Sequence, residues 1–185
     1  MLHNKKLIHF GRNQLLKKII ALITSFLIVE QVASASQTDE TKILLNTSKG
    51  EIVIKLLPEF APEHVSRIIE LVKSGFYDGI IFHRVIPGFM AQTGDPLGNG
   101  TGGSGKNLKA EFSDYRFTTG TVGMARAMDP NSADSQFFIC FDGCGHLTGQ
   151  YTAWGQVEKG MEIVESINVG EPPSDPDKII SVKII

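Results

Sequence analysis

Apolar and polar residues alternate along many short stretches of this chain and recur at helical spacing in only two. Ile43 to Asn46 and Glu51 to Leu56 read as strands on either side of Ser48-Lys49-Gly50, the arrangement of a hairpin. From Ala61 to Ser74 the period changes. Val65, Ile68, Ile69 and Val72 recur at helical spacing, Pro62 suits a first turn and Gly75 a stop. Ile80 to Ile86 and Phe89 to Thr93 then flank the turn Pro87-Gly88. Thr121 to Ala125, Gln136 to Phe141 and Ala153 to Val157 are further short apolar runs. Gly160 to Asn168 reads as a second helix with Ile163, Val164 and Ile167 on its apolar side, and Ile179 to Val182 as a closing strand. Many short strands and only two helices predict a mainly β fold, an antiparallel barrel or sandwich. A parallel βαβ layout is excluded, because helices do not alternate with strands.

The first 35 residues differ in character. Lys5, Lys6, Arg12, Lys17 and Lys18 make a basic stretch, an apolar run follows from Ile19 to Val29, and Ala33-Ser34-Ala35 supplies a small-x-small cleavage pattern. That is the order of a secretory signal. The run falls short of the roughly 20 residues that span a bilayer, and Glu30 interrupts it. The expectation is therefore a signal peptide over 1–35 and one domain over 36–185, exported to a bacterial periplasm and free of the membrane after cleavage. The alternative is an uncleaved signal acting as an anchor. Setting 1–35 aside removes five of 18 basic side chains and one of 20 acidic ones, leaving 13 and 19 and a net charge of −6. Such a mildly acidic chain offers no broad basic face to nucleic acid.

Two glycine motifs fail on context. Gly100 to Lys106 fits the first seven positions of a phosphate loop, but Asn107 stands where a Ser or Thr hydroxyl must hold Mg²⁺. Gly98, Gly100 and Gly103 fit the dinucleotide spacing, yet no strand leads in and no convincing helix leads out. This stretch reads as a surface loop crossing close to other backbone. His64, His83 and His146 are scattered and form no metal-ligand spacing, and no Gly-x-Ser-x-Gly elbow appears. No cofactor is implied. Cys140 and Cys144 are the only cysteines. Export would permit a disulfide, but four residues apart they meet only if the chain turns sharply. The reading favoured is a buried Cys140 and an independent Cys144.

Three other stretches carry more weight. Residues 82–96 read FHRVIPGFMAQTGDP, residues 120–138 read GTVGMARAMDPNSADSQFF, and residues 135–141 read SQFFICF. In order and spacing they resemble the cyclophilin signature, and the resemblance runs over residues 41–185. The segment Leu147-Thr148-Gly149-Gln150-Tyr151-Thr152 is similar to that of the compact bacterial branch. The resemblance implies an eight-stranded antiparallel β-barrel capped by two α-helices. It also implies a peptidyl-prolyl cis-trans isomerase, with proline-containing peptides and unfolded or folding proteins as partners and a monomer as the working state.

It further implies a cleft. Arg84 would be catalytic, with Phe89, Met90, Gln92, Gln136, Phe138, His146, Leu147 and Tyr151 binding substrate. Ala125, Arg126 and Ala127 would run along the substrate backbone. Strand periodicity places Arg84 on the face of Phe82 and Ile86, Met90 with Gln92, and Gln136 with Phe138. Phe112, Phe117 and Phe137 are expected in the core. The chain departs from some family members at His146 and from many at Arg126. His146 replaces a Trp that contributes to cyclosporin binding, which argues against tight drug binding and not against catalysis. Arg126 replaces Asn, and its charge is expected to shift preference toward acidic neighbours of the proline. A rival reading from another class is a chaperone that grips proline-containing segments with catalysis incidental.

Overall fold

The computed structural model describes residues 41–185; the signal expected at 1–35 lies outside them. Strands β1 (Lys42–Thr47) and β2 (Gly50–Leu56) form the expected hairpin, followed by helix α1 (Pro62–Lys73). Then come β3 (Arg84–Ile86), β4 (Met90–Thr93), β5 (Thr121–Met124), β6 (Phe137–Cys140) and a 3-10 turn at Gly145–Leu147. Strand β7 (Ala153–Lys159), helix α2 (Met161–Glu165) and β8 (Ile179–Ile184) complete the fold. The strands make one antiparallel sheet in the order β3-β4-β6-β5-β7-β2-β1-β8, curled into a half-barrel. Edge strands β3 and β8 do not pair along their length. The gap between them is stitched by Phe82 N–H donating to Asp177 O and Ile179 N–H donating to Ile80 O, each at 2.8 Å.

The two sheet faces bury separate sets of side chains. Val85, Ala91, Ile139 and Val122 lie in register across β3, β4, β6 and β5 and join the main core with Phe137, Trp154 and the inner side of α1. Met90, Phe138, Cys140 and Leu147 form a smaller cluster on the other face, over Phe117. Helix α1 opens on Pro62, whose missing N–H needs no partner. The Glu111 carboxylate accepts the next N–H groups, those of Glu63 at 3.1 Å and His64 at 3.0 Å, and also meets His64 Nδ1 at 2.6 Å. Burial opposes its ionisation, but the His64 ring and these two N–H groups hold it below the ordinary carboxylate value.

Four expectations need correction. The strand expected over 80–86 shrinks to Arg84–Ile86, and Phe82 falls into the main core with Val85 instead of sharing a face with Arg84. Strict alternation fails because residues 82 and 83 are not in a regular strand. The helix expected to Asn168 ends at Glu165. Asn168 instead donates its backbone N–H to Asp177 at 2.9 Å and its side-chain amide to Asp175 O at 2.8 Å, which draws the chain out of the helix. Phe112 is 41% exposed and lies 5.9 Å from the Arg126 guanidinium, outside both cores. Cys140 and Cys144 are joined in a disulfide, because the chain turns sharply through Phe141–Gly143 after β6. Gly143 N–H donates to Gly88 O at 2.9 Å and seals that turn.

Candidate active site

One registered row of residues builds the site. Arg84 on β3 faces Gln92 on β4, Gln92 faces Phe138 on β6, and Phe138 faces Gly123 on β5. Side chains so paired share a face of the sheet. The next row places Ile86, Met90 and Cys140 beside it. Gly123 is required by packing: a Cβ there would lie 2.5 Å from the Phe138 ring and 2.7 Å from the Phe117 ring. Its absence lets Phe138 lie flat, stacked on Phe117 with centroids 6.0 Å apart and meeting Tyr151 edge-on at 5.8 Å.

Of these, Arg84, Met90, Gln92, Phe138 and Tyr151 line a cavity of about 280 Å³. Met90, Phe138 and Leu147 are its buried apolar walls, and Phe89 with His146, stacked at 5.5 Å, forms one rim. Arg84, Gln92, Ala125, Arg126 and Tyr151 complete the lining. The structure thus brings together ten of the twelve expected site residues. Ala127 and Gln136 line an adjoining cavity of about 300 Å³, which shares Gln92, Ala125 and Arg126 with the first.

A directed hydrogen-bond chain ties the two cavities. Arg84 Nη1 donates to Gln92 Oε1 at 3.5 Å, and Gln92 Nε2 donates to Gln136 Oε1 at 2.9 Å. Gln136 Nε2 donates in turn to Gly102 O at 2.8 Å and Gly100 O at 3.1 Å. The glycine-rich loop is therefore the outer wall of the second cavity. Sequence reading took it only as a loop near other backbone. The loop's own glycines approach side chains and not other backbone: a Cβ at Gly102 would meet Asp95 and Leu97, and one at Gly103 would meet Asp134. The close backbone approach falls just before the loop, at Gly94, which has φ 85° and where a Cβ would sit 2.9 Å from Gln136 Cα. Asp95 anchors the loop by accepting N–H groups from Leu97 and Asn99 at 2.8 and 3.0 Å and from Gly100 at 2.5 Å. Asp134 anchors its far side through Ser104 Oγ and the Gly105 and Lys106 N–H groups. Burial alone would raise the Asp95 carboxyl pKa, but the Leu97, Gly100, Asn99 and Gly102 N–H groups together hold it below the ordinary carboxylate value.

Two titratable residues beside Arg84 were not anticipated. Glu171 Oε1 lies 3.4 Å from Arg84 Nε. His83 is buried next to it in the chain, with neither ring nitrogen hydrogen-bonded. Burial lowers the His83 pKa, Asp95 opposes this, and the Arg84 charge adds to the lowering. The alternation pattern signalled neither residue: Glu171 comes from a segment after α2 and His83 from an irregular one.

Residues 42–184 match the family described as cyclophilin type peptidyl-prolyl cis-trans isomerase/CLD. A protein of Brucella suis described as a probable peptidyl-prolyl cis-trans isomerase is 48% identical over 171 residues, covering 83% of this chain and 87% of the relative. A peptidyl-prolyl cis-trans isomerase of Synechococcus elongatus is 43% identical over 147 residues, covering 78% of this chain and 97% of the relative. Among solved structures, a Cryptosporidium parvum cyclophilin-type isomerase crystallised in the presence of the dipeptide Ala-Pro superposes with a TM-score of 0.73 at 30% identity. The match covers 78% of this chain and 98% of that one. The match over residues 42–184 and these identities show that the chain, whose cavity has apolar walls edged by the Arg84 and Arg126 guanidiniums, belongs to the cyclophilin-type peptidyl-prolyl cis-trans isomerases.

Proposed function

We propose that the protein is exported and, as a cofactor-free monomer, accelerates rotation about X-Pro bonds in proteins folding outside the cytoplasm. The observation that carries the chemical part is Arg84 at the edge of the apolar cavity formed by Met90, Phe138 and Leu147. A solved relative crystallised with Ala-Pro supports a proline-containing ligand of this class. The order of basic stretch, apolar run and Ala33-Ser34-Ala35 supports export.

The reaction breaks no covalent bond. It must cross a barrier of about 18–20 kcal/mol set by amide resonance. In the twisted transition state the resonance is lost and the imide nitrogen gains a lone pair. A permanently charged guanidinium donates to that lone pair, an interaction absent from the planar ground state and therefore able to accelerate rotation. The apolar walls hold the ring while the preceding carbonyl swings, and they favour the less charge-separated twisted form.

Magnitude divides the work. One hydrogen bond from a charged donor is worth about 1.5–3 kcal/mol, or roughly one to two powers of ten in rate. Any larger acceleration comes from the cavity and from holding the chain. The test is a protease-free isomerisation assay on wild type and Arg84→Ala. Arg84→Ala should lose most of the activity, at least about tenfold, with an unchanged circular dichroism spectrum. Near-wild-type turnover would remove Arg84 from the mechanism.

A further inference from the structure

We propose that Glu171 is a positioning residue for Arg84: it holds Nε from outside the cavity and so aims the remaining guanidinium N–H groups at the imide nitrogen. The inference rests on the reading of Arg84 as the donor to the transition state.

The backbone fixes the relation between the two residues. Val85 N–H donates to Gly170 O at 2.8 Å, and Gly170 N–H donates back to Val85 O at 3.1 Å. This is an antiparallel bridge at the outer edge of β3. In such a bridge the residue before Val85 stands opposite the residue after Gly170. Arg84 therefore has two cross-strand neighbours, Gln92 on β4 and Glu171 on this added segment. Each offers an acceptor on its own side. Glu171 Oε1 is 3.4 Å from Nε, and Gln92 Oε1 is 3.5 Å from Nη1. Nη2 has no partner among the described residues, and the Arg84 side chain is 39% exposed. Glu171 is not part of the cavity lining, so it acts through Arg84 and not on substrate. The Glu171 contact is an ion pair and the Gln92 contact a long hydrogen bond, and such contacts often tighten only when substrate is bound.

A carboxylate here has two effects of opposite sign. It orients the fork, which raises the fraction of productive encounters. It also tempers the positive charge, which weakens the donor. The pair is largely exposed and its Coulomb energy is screened, so orientation is the larger effect.

The experiment measures kcat and KM on a short X-Pro peptide for wild type, Glu171→Ala, Glu171→Gln and Arg84→Ala, with thermal melts to confirm folding. The Glu171→Ala change is also made in an Arg84→Lys background, where no Nε–H exists to hold. Glu171→Ala should lower kcat roughly two- to fivefold with KM unchanged, which is at most about 1 kcal/mol at 1.4 kcal/mol per tenfold. Glu171→Gln keeps an acceptor oxygen and should retain more than half of kcat. In the Arg84→Lys background, Glu171→Ala should cost nothing further. Unchanged kcat in Glu171→Ala, higher kcat in both Glu171 variants, or an equal loss in the Arg84→Lys background would each overturn the proposal. Arg84→Ala separates the two readings: if it is inactive while Glu171→Ala is normal, only the role of Glu171 fails, and if it is active, the Arg84 reading fails with it.

Discussion

Arg126 carries a charge with no carboxylate partner among the described residues. Its Nη1 donates to Ala127 O at 2.9 Å, its Nη2 donates to Gln150 O at 3.1 Å, and the guanidinium lies 4.5 Å from the Tyr151 ring centroid. These contacts clip two loops across the rim while leaving the charge uncompensated at the junction of the two cavities. A peptide with Glu beside the proline should therefore turn over faster than its Lys counterpart. At this partly solvated site the effect is on the order of 1 kcal/mol, or about fivefold in kcat/KM. Arg126→Asn should equalise the two peptides, and equal rates in wild type would dismiss the charge as a determinant. His83 sets a different dependence. Its pKa in the fold is held below the ordinary 6.5, mainly by burial. Above pH 6.5 the ring is neutral in both states and its contribution to stability is complete. As pH falls below 6.5 the unfolded chain takes up the proton first, and stability declines until the lower folded value is passed. Thermal melts should show Tm dropping between pH 7 and pH 5, and His83→Leu should flatten that slope.

Among the elements, those governed by plain alternation or helical period were legible: the β1-β2 hairpin, α1, β4, β6 and β7 emerge within a residue or two of their expected limits. What the pattern could not give is where long-range partners interrupt it. Ile81 bridges only Lys178, which leaves Phe82 free to turn into the core, and Asp177 ends α2 by binding Asn168. The site was legible as a set of residues through the resemblance to the cyclophilin signature; strand parity added only that Met90 shares a face with Gln92 and Gln136 with Phe138. The glycine loop as a cavity wall and Glu171 beside Arg84 were not, since both depend on segments far apart in sequence. The disulfide was missed for the same reason: the turn that joins Cys140 to Cys144 is sealed by Gly88, more than fifty residues upstream. That bond pins the segment carrying His146 and Leu147 to the end of β6. Unreduced protein should show no free thiol. Closing so short a loop is worth about 2 kcal/mol on the chain-entropy account, so Cys144→Ser should melt earlier by several degrees. It should also raise KM more than it lowers kcat, because the rim moves while Arg84 stays in place. A count of two thiols in unreduced protein would return the pair to independent cysteines.

At the scale of the whole molecule, all eight strands come from residues 42–184, and β1 takes β2 on one side and β8 on the other. Among the described residues the sheet runs over eight strands, and the residues that line both cavities lie between Arg84 and Tyr151. The basic and apolar stretch over 1–35 has the features a secretion signal needs, and cleavage after Ala35 would leave the polar lead-in Ser36 to Thr41 ahead of β1. Cleavage there would also change the formal charge from −2 to −6, a net charge further from zero that favours solubility. The full-length chain expressed in a Gram-negative host should appear in the periplasmic fraction. Intact-mass measurement should give a chain beginning at Ser36, carrying two hydrogens fewer than the reduced sequence because Cys140 and Cys144 are paired. A mass retaining Met1, with the protein fractionating in the membrane, would instead establish the uncleaved anchor. Either way the isomerase domain is the same, so purified protein from both forms should match in kcat/KM on a short X-Pro peptide.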